Sequence, residues 1–171
     1  MRVLDPPSPE VSAALRGQLK RWLDERQDAR TLAAFAPMAD EVDLLPLLSG
    51  HPGRRWVLPR VVGEEIDLHI VEDARHLAPG AFGIPEPDPA APKIDPDEVD
   101  VFLCPGLAFD AAGRRLGRGR GYYDRLLAAA RSGAEFVGIA PAARIVEDVP
   151  ALAHDIRMGW LASETGVRRC G

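Results

Sequence analysis

Residues 104–127 read CPGLAFDAAGRRLGRGRGYYDRLL, and this stretch decides the fold. It begins at the end of an apolar run, Val99 to Cys104 (VDVFLC), of the kind that forms a central parallel strand buried on both faces. A Gly/Arg loop follows, and a helix is expected from about Tyr122 to Ala130. Strand, loop and helix in that order are the parts of an anion-binding α/β unit.

Within the loop, Gly117, Gly119 and Gly121 alternate with Arg118 and Arg120. Without Cβ atoms these positions admit positive φ, so backbone N–H groups can converge on phosphate oxygens. The next helix adds its N-terminal amides and dipole. Arg115, Arg118 and Arg120 supply forked, permanently charged donors that match phosphate geometry. The segment is not a Walker A loop, because GxxxxGK[ST] is absent, and it does not match GxGxxG before an apolar helix start. Taken alone it also fits a solvated Gly/Arg turn or an RNA-binding RG element.

Outward from this stretch, the chain alternates strands with helices. Ser8 and Pro9 make a helix start, and Val11, Leu15, Leu19, Trp22 and Leu23 recur at helical spacing. Thr31 to Ala36 reads as a short buried strand, and Met38 to Glu41 turns it into a short helix near Leu44 to Leu48. Arg54 to Val62 reads as a second strand with Pro59 near its end or at an edge. Glu65 to Val71 alternates as a third. Pro79 to Pro96 carries six prolines and reads as a long ordered loop without regular structure, the kind that is often functional. Glu135 to Ala140 is the next strand and Ile156 to Ala162 the last. The pattern implies an α/β fold, a mostly parallel central sheet with helices on both faces, forming one domain over residues 1–171.

The net charge of -5 (21 basic against 26 acidic residues) argues against broad nucleic-acid or membrane-surface binding. An anion site must then be a local concentration of Arg. The two cysteines, Cys104 and Cys170, form neither a disulfide framework nor a zinc motif. With no signal-like apolar core in MRVLDPPSPE, a cytoplasmic protein is expected.

Several side chains are candidates for the site. Tyr122 can stack on a flat heterocycle, whereas Tyr123 fits the core. Asp124 lies in the first helical turn, where it either complements the dipole or serves as a Mg²⁺ ligand beside phosphates. Asp155 can supply a second carboxylate, and His154 reads as a surface neighbour. Glu41 follows the first strand, and ligands of open α/β sheets bind beyond the carboxyl ends of strands.

With these residues in view, the chain resembles the 5-formyltetrahydrofolate cyclo-ligase family. The match rests on CPGLAFD (104–110), GRRLGRGRGYYD (113–124) and FGIPEP (82–87), with support from DEVD (40–43), LPR (58–60) and His154-Asp155. The resemblance implies a three-layer α/β/α Rossmann-like domain. It also implies an enzyme that uses ATP and Mg²⁺ to convert 5-formyltetrahydrofolate to 5,10-methenyltetrahydrofolate, releasing ADP and phosphate. In that chemistry the formyl oxygen takes the γ-phosphoryl group, N10 attacks the activated carbon, the ring closes and phosphate leaves. By resemblance, Arg115, Leu116, Gly117, Arg118, Gly119, Arg120, Gly121, Tyr122 and Tyr123 line ATP, together with Arg16. Ala36, Glu41 and the Arg118–Tyr122 segment contact the folate, with Arg118, Arg120 and Tyr122 at the formyl group. Asp124 and Asp155 hold Mg²⁺. The expected protein is a monomer or weak dimer acting on 5-formyltetrahydrofolate, with or without a polyglutamate tail. Arg118→Ala is expected to lower turnover far more than stability.

One departure accompanies the resemblance. The family's first helix carries Lys-x-x-x-Arg against the ATP phosphates. Aligning Arg16 with that Arg puts Ser12 at the lysine position. Alternatively, the helix here matches the family's second, and the first has no counterpart. This leaves an alternative function, a non-catalytic folate- or nucleotide-binding protein that has lost part of the ATP site. An RNA-binding module built on the Gly/Arg loop is a third, disfavoured by the net charge.

Overall fold

The computed structural model describes residues 4–51 and 53–171. Helix α1 (Pro9–Asp24) starts where expected: Ser8 Oγ accepts from the Val11 amide at 3.3 Å and Pro9 opens the first turn. Its buried stripe is Ser12, Leu15, Leu19, Trp22 and Leu23. Strand β1 (Thr31–Ala33) is shorter than expected, although Ala34 to Ala36 stay buried beyond it. Its start is pinned by Asp100, whose Oδ2 accepts from the Arg30 and Thr31 amides at 2.7 and 2.8 Å. Helix α2 (Leu47–Gly50) is a single turn, and β2 (Arg55–Val62) and β3 (Glu65–Ile70) form a hairpin.

The proline-rich segment is more regular than its composition suggests. It folds into β4 (Ala78–Pro79) paired with β5 (Pro85–Glu86), then β6 (Lys93–Ile94), which joins the edge of the main sheet beside β3. Strand β7 (Val101–Pro105) follows. Between it and the helix the chain inserts a small hairpin, β8 (Ala108–Asp110) and β9 (Arg115–Leu116), that the sequence did not signal. Helix α3 (Tyr122–Ala128), β10 (Glu135–Ile139) and β11 (Ile145–Val146) come next, the last pairing with β8. The final strand pair is β12 (Trp160–Ser163) and β13 (Gly166–Arg169). The first starts later than expected, and the second was hidden by its exposed arginines.

The main sheet runs β13-β12-β10-β7-β1-β2-β3-β6. The five inner strands are parallel, and both margins are antiparallel. Alternation along each strand divides the core into two faces. Leu32, Trp56, Leu58, Val101, Leu103, Val137 and Ile139 pack with α1 and the α2 turn. Ala33, Val57, Phe102, Cys104 and Leu161 pack with Leu126 and Leu127 of α3. The architecture is therefore a three-layer α/β/α arrangement. Among the described residues, no helix is long and apolar enough to cross a membrane.

Pro59 shows how sequence and topology agree. The Val57 carbonyl accepts from Ala34, so the odd-numbered residues of β2 face β1. Strand β1 ends there, and Pro59 sits just beyond it on a locally free edge, where its missing N–H costs no ladder bond.

Candidate active site

From β1 the chain moves to β2 on one side and later returns through β7 on the other. The point between β1 and β7 is thus a topological switch, where open α/β sheets leave a crevice at the carboxyl ends of their strands. A cavity of about 680 Å³ opens there, within the range of small-molecule sites. Its walls come from the residues after β1 (Ala36, Glu41), the exposed end of β2 (Pro59, Val61), the β4–β5 hairpin, the Gly/Arg loop and the 150–155 segment.

The Gly/Arg loop passes from β9 to α3, with Gly119 at φ 83° and Gly121 at φ 68°, conformations that suit glycine alone. Because such a loop holds its side chains weakly, they are placed by distant partners. Arg118 Nη2 donates to Asp40 Oδ1 at 2.5 Å and lies 3.4 Å from Glu41 Oε1. The expectation that Glu41 and the loop after Cys104 share one rim therefore corresponds to a direct contact.

These adjacent carboxyls are displaced in opposite directions. Burial raises the pKa of Glu41 above the usual carboxylate range, and the Met38 amide and Arg118 offset this only in part. Burial also acts on Asp40, but the Leu4 amide and the Arg118 guanidinium outweigh it and hold Asp40 below its ordinary value.

A second set of contacts joins the helix start to the 150–155 segment. Asp124 Oδ1 accepts from Arg115 Nη2 at 3.1 Å and from the Ile156 amide at 3.2 Å. The latter bond brings Asp124 beside Asp155, and both carboxylates border the cavity. Asp155 Oδ2 accepts from the Leu152 amide, and exposed His154 lies 3.7 Å from its Oδ1. Asp110 fixes this segment to the β8–β9 hairpin: buried among the amides of Ala112, Arg114 and Val149, it accepts from all three.

Tyr122 borders the cavity and its hydroxyl donates to the Gly63 carbonyl at 3.1 Å, closing the wall against the β2–β3 turn. Tyr123 packs against the α3 core, as its sequence position suggested. It also touches the cavity, and burial holds its phenol well above the ordinary value. Burial likewise pushes the Cys104 thiol up to about 12, so it is an inert core group.

Sequence reasoning missed most of the apolar half. The β4–β5 hairpin contributes Phe82, Ile84 and Glu86. Phe82 holds φ 58°, is 55% exposed, and carries the Arg120 guanidinium 4.4 Å above its ring. Glu86 is buried. Its Oε1 accepts from the Val61 amide at 3.1 Å, and its Oε2 lies 3.2 Å from Arg60 Nη1. Gly80 makes room for it, since a Cβ there would fall 2.3 Å from the Glu86 side chain. The alternation of FGIPEP with prolines was a signal, but only the hairpin turns it inward.

Arg16 stands apart from the other candidate residues. It donates to the Asp43 carbonyl at 2.7 Å and does not line the cavity. Lys20 pairs with Asp24 and Arg54 with the Leu23 carbonyl, both also away from it. Ser12, which takes the lysine position only if Arg16 matches the family's arginine, is buried in α1.

Residues 4–162 match the model of the 5-formyltetrahydrofolate cyclo-ligase family. A 5-formyltetrahydrofolate cyclo-ligase of Mycolicibacterium smegmatis is 33% identical over 154 residues, covering 85% of this chain and 77% of that protein. The solution structure of Aquifex aeolicus 5,10-methenyltetrahydrofolate synthetase superposes with a TM-score of 0.81 at 39% identity, covering 93% of this chain and 80% of that one. A 5,10-methenyltetrahydrofolate synthetase from Mycoplasma pneumoniae shares the fold, with a TM-score of 0.73 at 23% identity over 90% and 85% of the two chains. The match runs from before α1 into β12 and takes in every wall of the switch-point cavity, and on this ground the chain belongs to the 5-formyltetrahydrofolate cyclo-ligase family.

Proposed function

We propose that this protein is a ligase that converts 5-formyltetrahydrofolate to 5,10-methenyltetrahydrofolate at the expense of ATP, within one α/β unit. The observation that carries this reading is the meeting, in one cavity, of the Gly117–Gly121 loop with Glu41 through Arg118. The loop and the Arg115 and Arg120 side chains suit the phosphates. The apolar half, with Ala36, Pro59, Ile84 and Phe82, suits a flat ring system. Glu41 then accepts from N–H groups of the pterin.

The chemistry asks for positioning and charge neutralisation more than for a protein nucleophile. The formyl oxygen is phosphorylated, N10 adds to the formyl carbon and loses its proton, and the C–O bond to phosphate breaks. Arg118 and Arg120 would neutralise charge on the transferring group, and Tyr122 would fix the wall beside it. Asp124 and Asp155 suit Mg²⁺, because that ion takes one or two carboxylates and fills its remaining positions with phosphate oxygens and water. Bound there, the ion would shield the phosphate charges.

A second reading is a folate- or nucleotide-binding protein without turnover. It is favoured by one fact: Arg16, Lys20 and Arg54 all lie off the cavity. The deciding experiment follows the methenyltetrahydrofolate absorbance with 5-formyltetrahydrofolate and Mg²⁺, before and after ATP. An ATP-dependent rise supports the ligase. No rise, with folate or ATP still raising the melting temperature, supports the binding protein.

A further inference from the structure

Asp40 is 2% exposed and does not line the cavity, whereas Arg118 and Glu41 both do. Each polar group of Asp40 that can accept is engaged. Oδ1 takes Arg118 Nη2 at 2.5 Å, Oδ2 takes the Leu4 amide at 3.3 Å, and its carbonyl takes Arg144 Nη1 at 2.5 Å. Arg144 is itself tied to the Asp5 carbonyl by Nη2 at 2.6 Å. Asp40 is thus held at its carboxylate by the Leu4 amide and at its backbone carbonyl by Arg144, which leaves Oδ1 to a side chain borne by a glycine loop.

We infer that Asp40 is the positioning residue that holds Arg118 in register and keeps it from collapsing onto Glu41. The argument is one of competition. A single nitrogen of Arg118 faces two carboxylates, 2.5 Å from Asp40 and 3.4 Å from Glu41. Asp40 has the shorter, better contact, so Glu41 keeps lone pairs for a ligand. Removing the Asp40 charge leaves Glu41, among the described residues, as the one carboxylate within 4 Å of Arg118. Arg118 then closes onto it, and the carboxylate meant for the substrate is occupied. The loop backbone is tied at Arg120 by Arg125 Nη2, but among the described residues no backbone hydrogen bond holds Gly117 to Gly119 against that movement.

This inference rests on the proposed folate activity, and it gives Asp40 an indirect role: it acts through Arg118 and touches no substrate. Misplacing a positioned catalytic group by about 1 Å can cost about 100-fold in turnover efficiency. The cost should fall mainly on the KM for 5-formyltetrahydrofolate. The KM for ATP should move by less than about threefold, because Arg115, Arg120 and the loop amides remain.

The test is a double-mutant cycle of Asp40→Asn and Arg118→Ala, read as kcat/KM for 5-formyltetrahydrofolate and, in parallel, as folate affinity by calorimetry. Asn is isosteric and still accepts from Leu4. The expected result is that Asp40→Asn lowers kcat/KM about 100-fold in the parent but causes almost no further loss in the Arg118→Ala background. An equal loss in both backgrounds would mean that Asp40 acts through Leu4 and Arg144 alone, and would overturn the inference. Should Asp40→Asn not fold, Asp40→Glu carries the test, since it keeps an anion for Arg118. A folate KM near that of the parent supports the inference, and a loss as large as that of Arg118→Ala overturns it. If the parent protein shows no turnover, the ligase reading has failed, and the cycle in folate affinity still decides the role of Asp40.

Discussion

Arg118→Ala tests the energetics of the site most directly, and the structure changes what should be expected of it. A loop arginine in water contributes little to stability, about 0–1 kcal/mol when ion-paired at a surface. Arg118, however, is only 18% exposed at its side chain, and its partners Asp40 and Glu41 are 3% and 10% exposed. Breaking a buried pair by removing one partner costs about 3–5 kcal/mol, because the other charge is left uncompensated. The partial exposure of Arg118 discounts that figure, and so does the surviving Leu4 bond to Asp40. We therefore expect a loss of about 2–4 kcal/mol at pH 7, or roughly 5–15 °C in melting temperature for a chain of this size.

The loss should also depend on pH, and its sign follows from Asp40. In the parent, Asp40 is held below its unfolded value, so its contribution is fully present above about pH 4 and fades as pH falls through the folded value. Without Arg118, two of the influences that lower Asp40 are gone while burial remains, so its pKa moves up relative to the parent. The variant then loses stability relative to the parent as pH rises through the interval between the two values. The gap between parent and variant must therefore widen from mildly acid to neutral pH. Urea unfolding at pH 4.5 and pH 7 measures it. A gap that is the same at both values, or below about 1 kcal/mol at pH 7, would refute the assignment of Arg118 to a buried carboxylate pair.

Three further outcomes follow from particular contacts. Glu41→Gln should raise the folate KM yet leave the protein at least as stable at pH 7–8: burial raises the Glu41 pKa, so ionising it as pH rises weakens the parent, and Gln is spared this; a clear loss of stability in urea at pH 8 would contradict it. Gly80→Ala places a Cβ 2.3 Å from Glu86 and should cost about 2 kcal/mol and weaken folate binding, both measurable by melting with and without ligand; an unchanged melting temperature would show that the Glu86 cradle yields freely. Arg26→Ala removes a guanidinium 3.5 Å from the Trp22 ring centroid, 4.8 Å from that of Trp160, and paired with Glu135. It should lower stability by about 2 kcal/mol while kcat/KM stays within error.

Much of this could be read from the residues, and what could not has physical causes. The helix after Ser8 and the central strand through Cys104 announce themselves through a cap and through burial on both faces. Glu41 and the Gly/Arg loop could be placed on one rim because parallel sheets gather their loops at one end. The β8–β9 hairpin could not be seen, because its strands are three and two residues long, too short for a period to emerge. Nor could the role of FGIPEP: prolines suppress the strand signal, and the pairing of Ala78–Pro79 with Pro85–Glu86 is a matter of register. Asp40 escaped for another reason. Its neighbour Glu41 has the same chemistry, and only the fold decides which of two adjacent carboxylates turns inward.

The strand order bears on the time at which the molecule becomes competent. Strand β1 pairs with β7 through Leu32 and Val101, and Asp40 reaches Arg118 across a sequence separation of 78. Such pairings must close long loops before they are rewarded, which places them late in folding. The β2–β3 hairpin and the β12–β13 hairpin, by contrast, are local and can form early. The crevice needs β7 inserted between β1 and β10, so a refolding chain is expected to form its local hairpins before it can hold a ligand. Ligand binding thus reports the last step of assembly, and a nascent chain that has not yet released β7 is blind to its substrate.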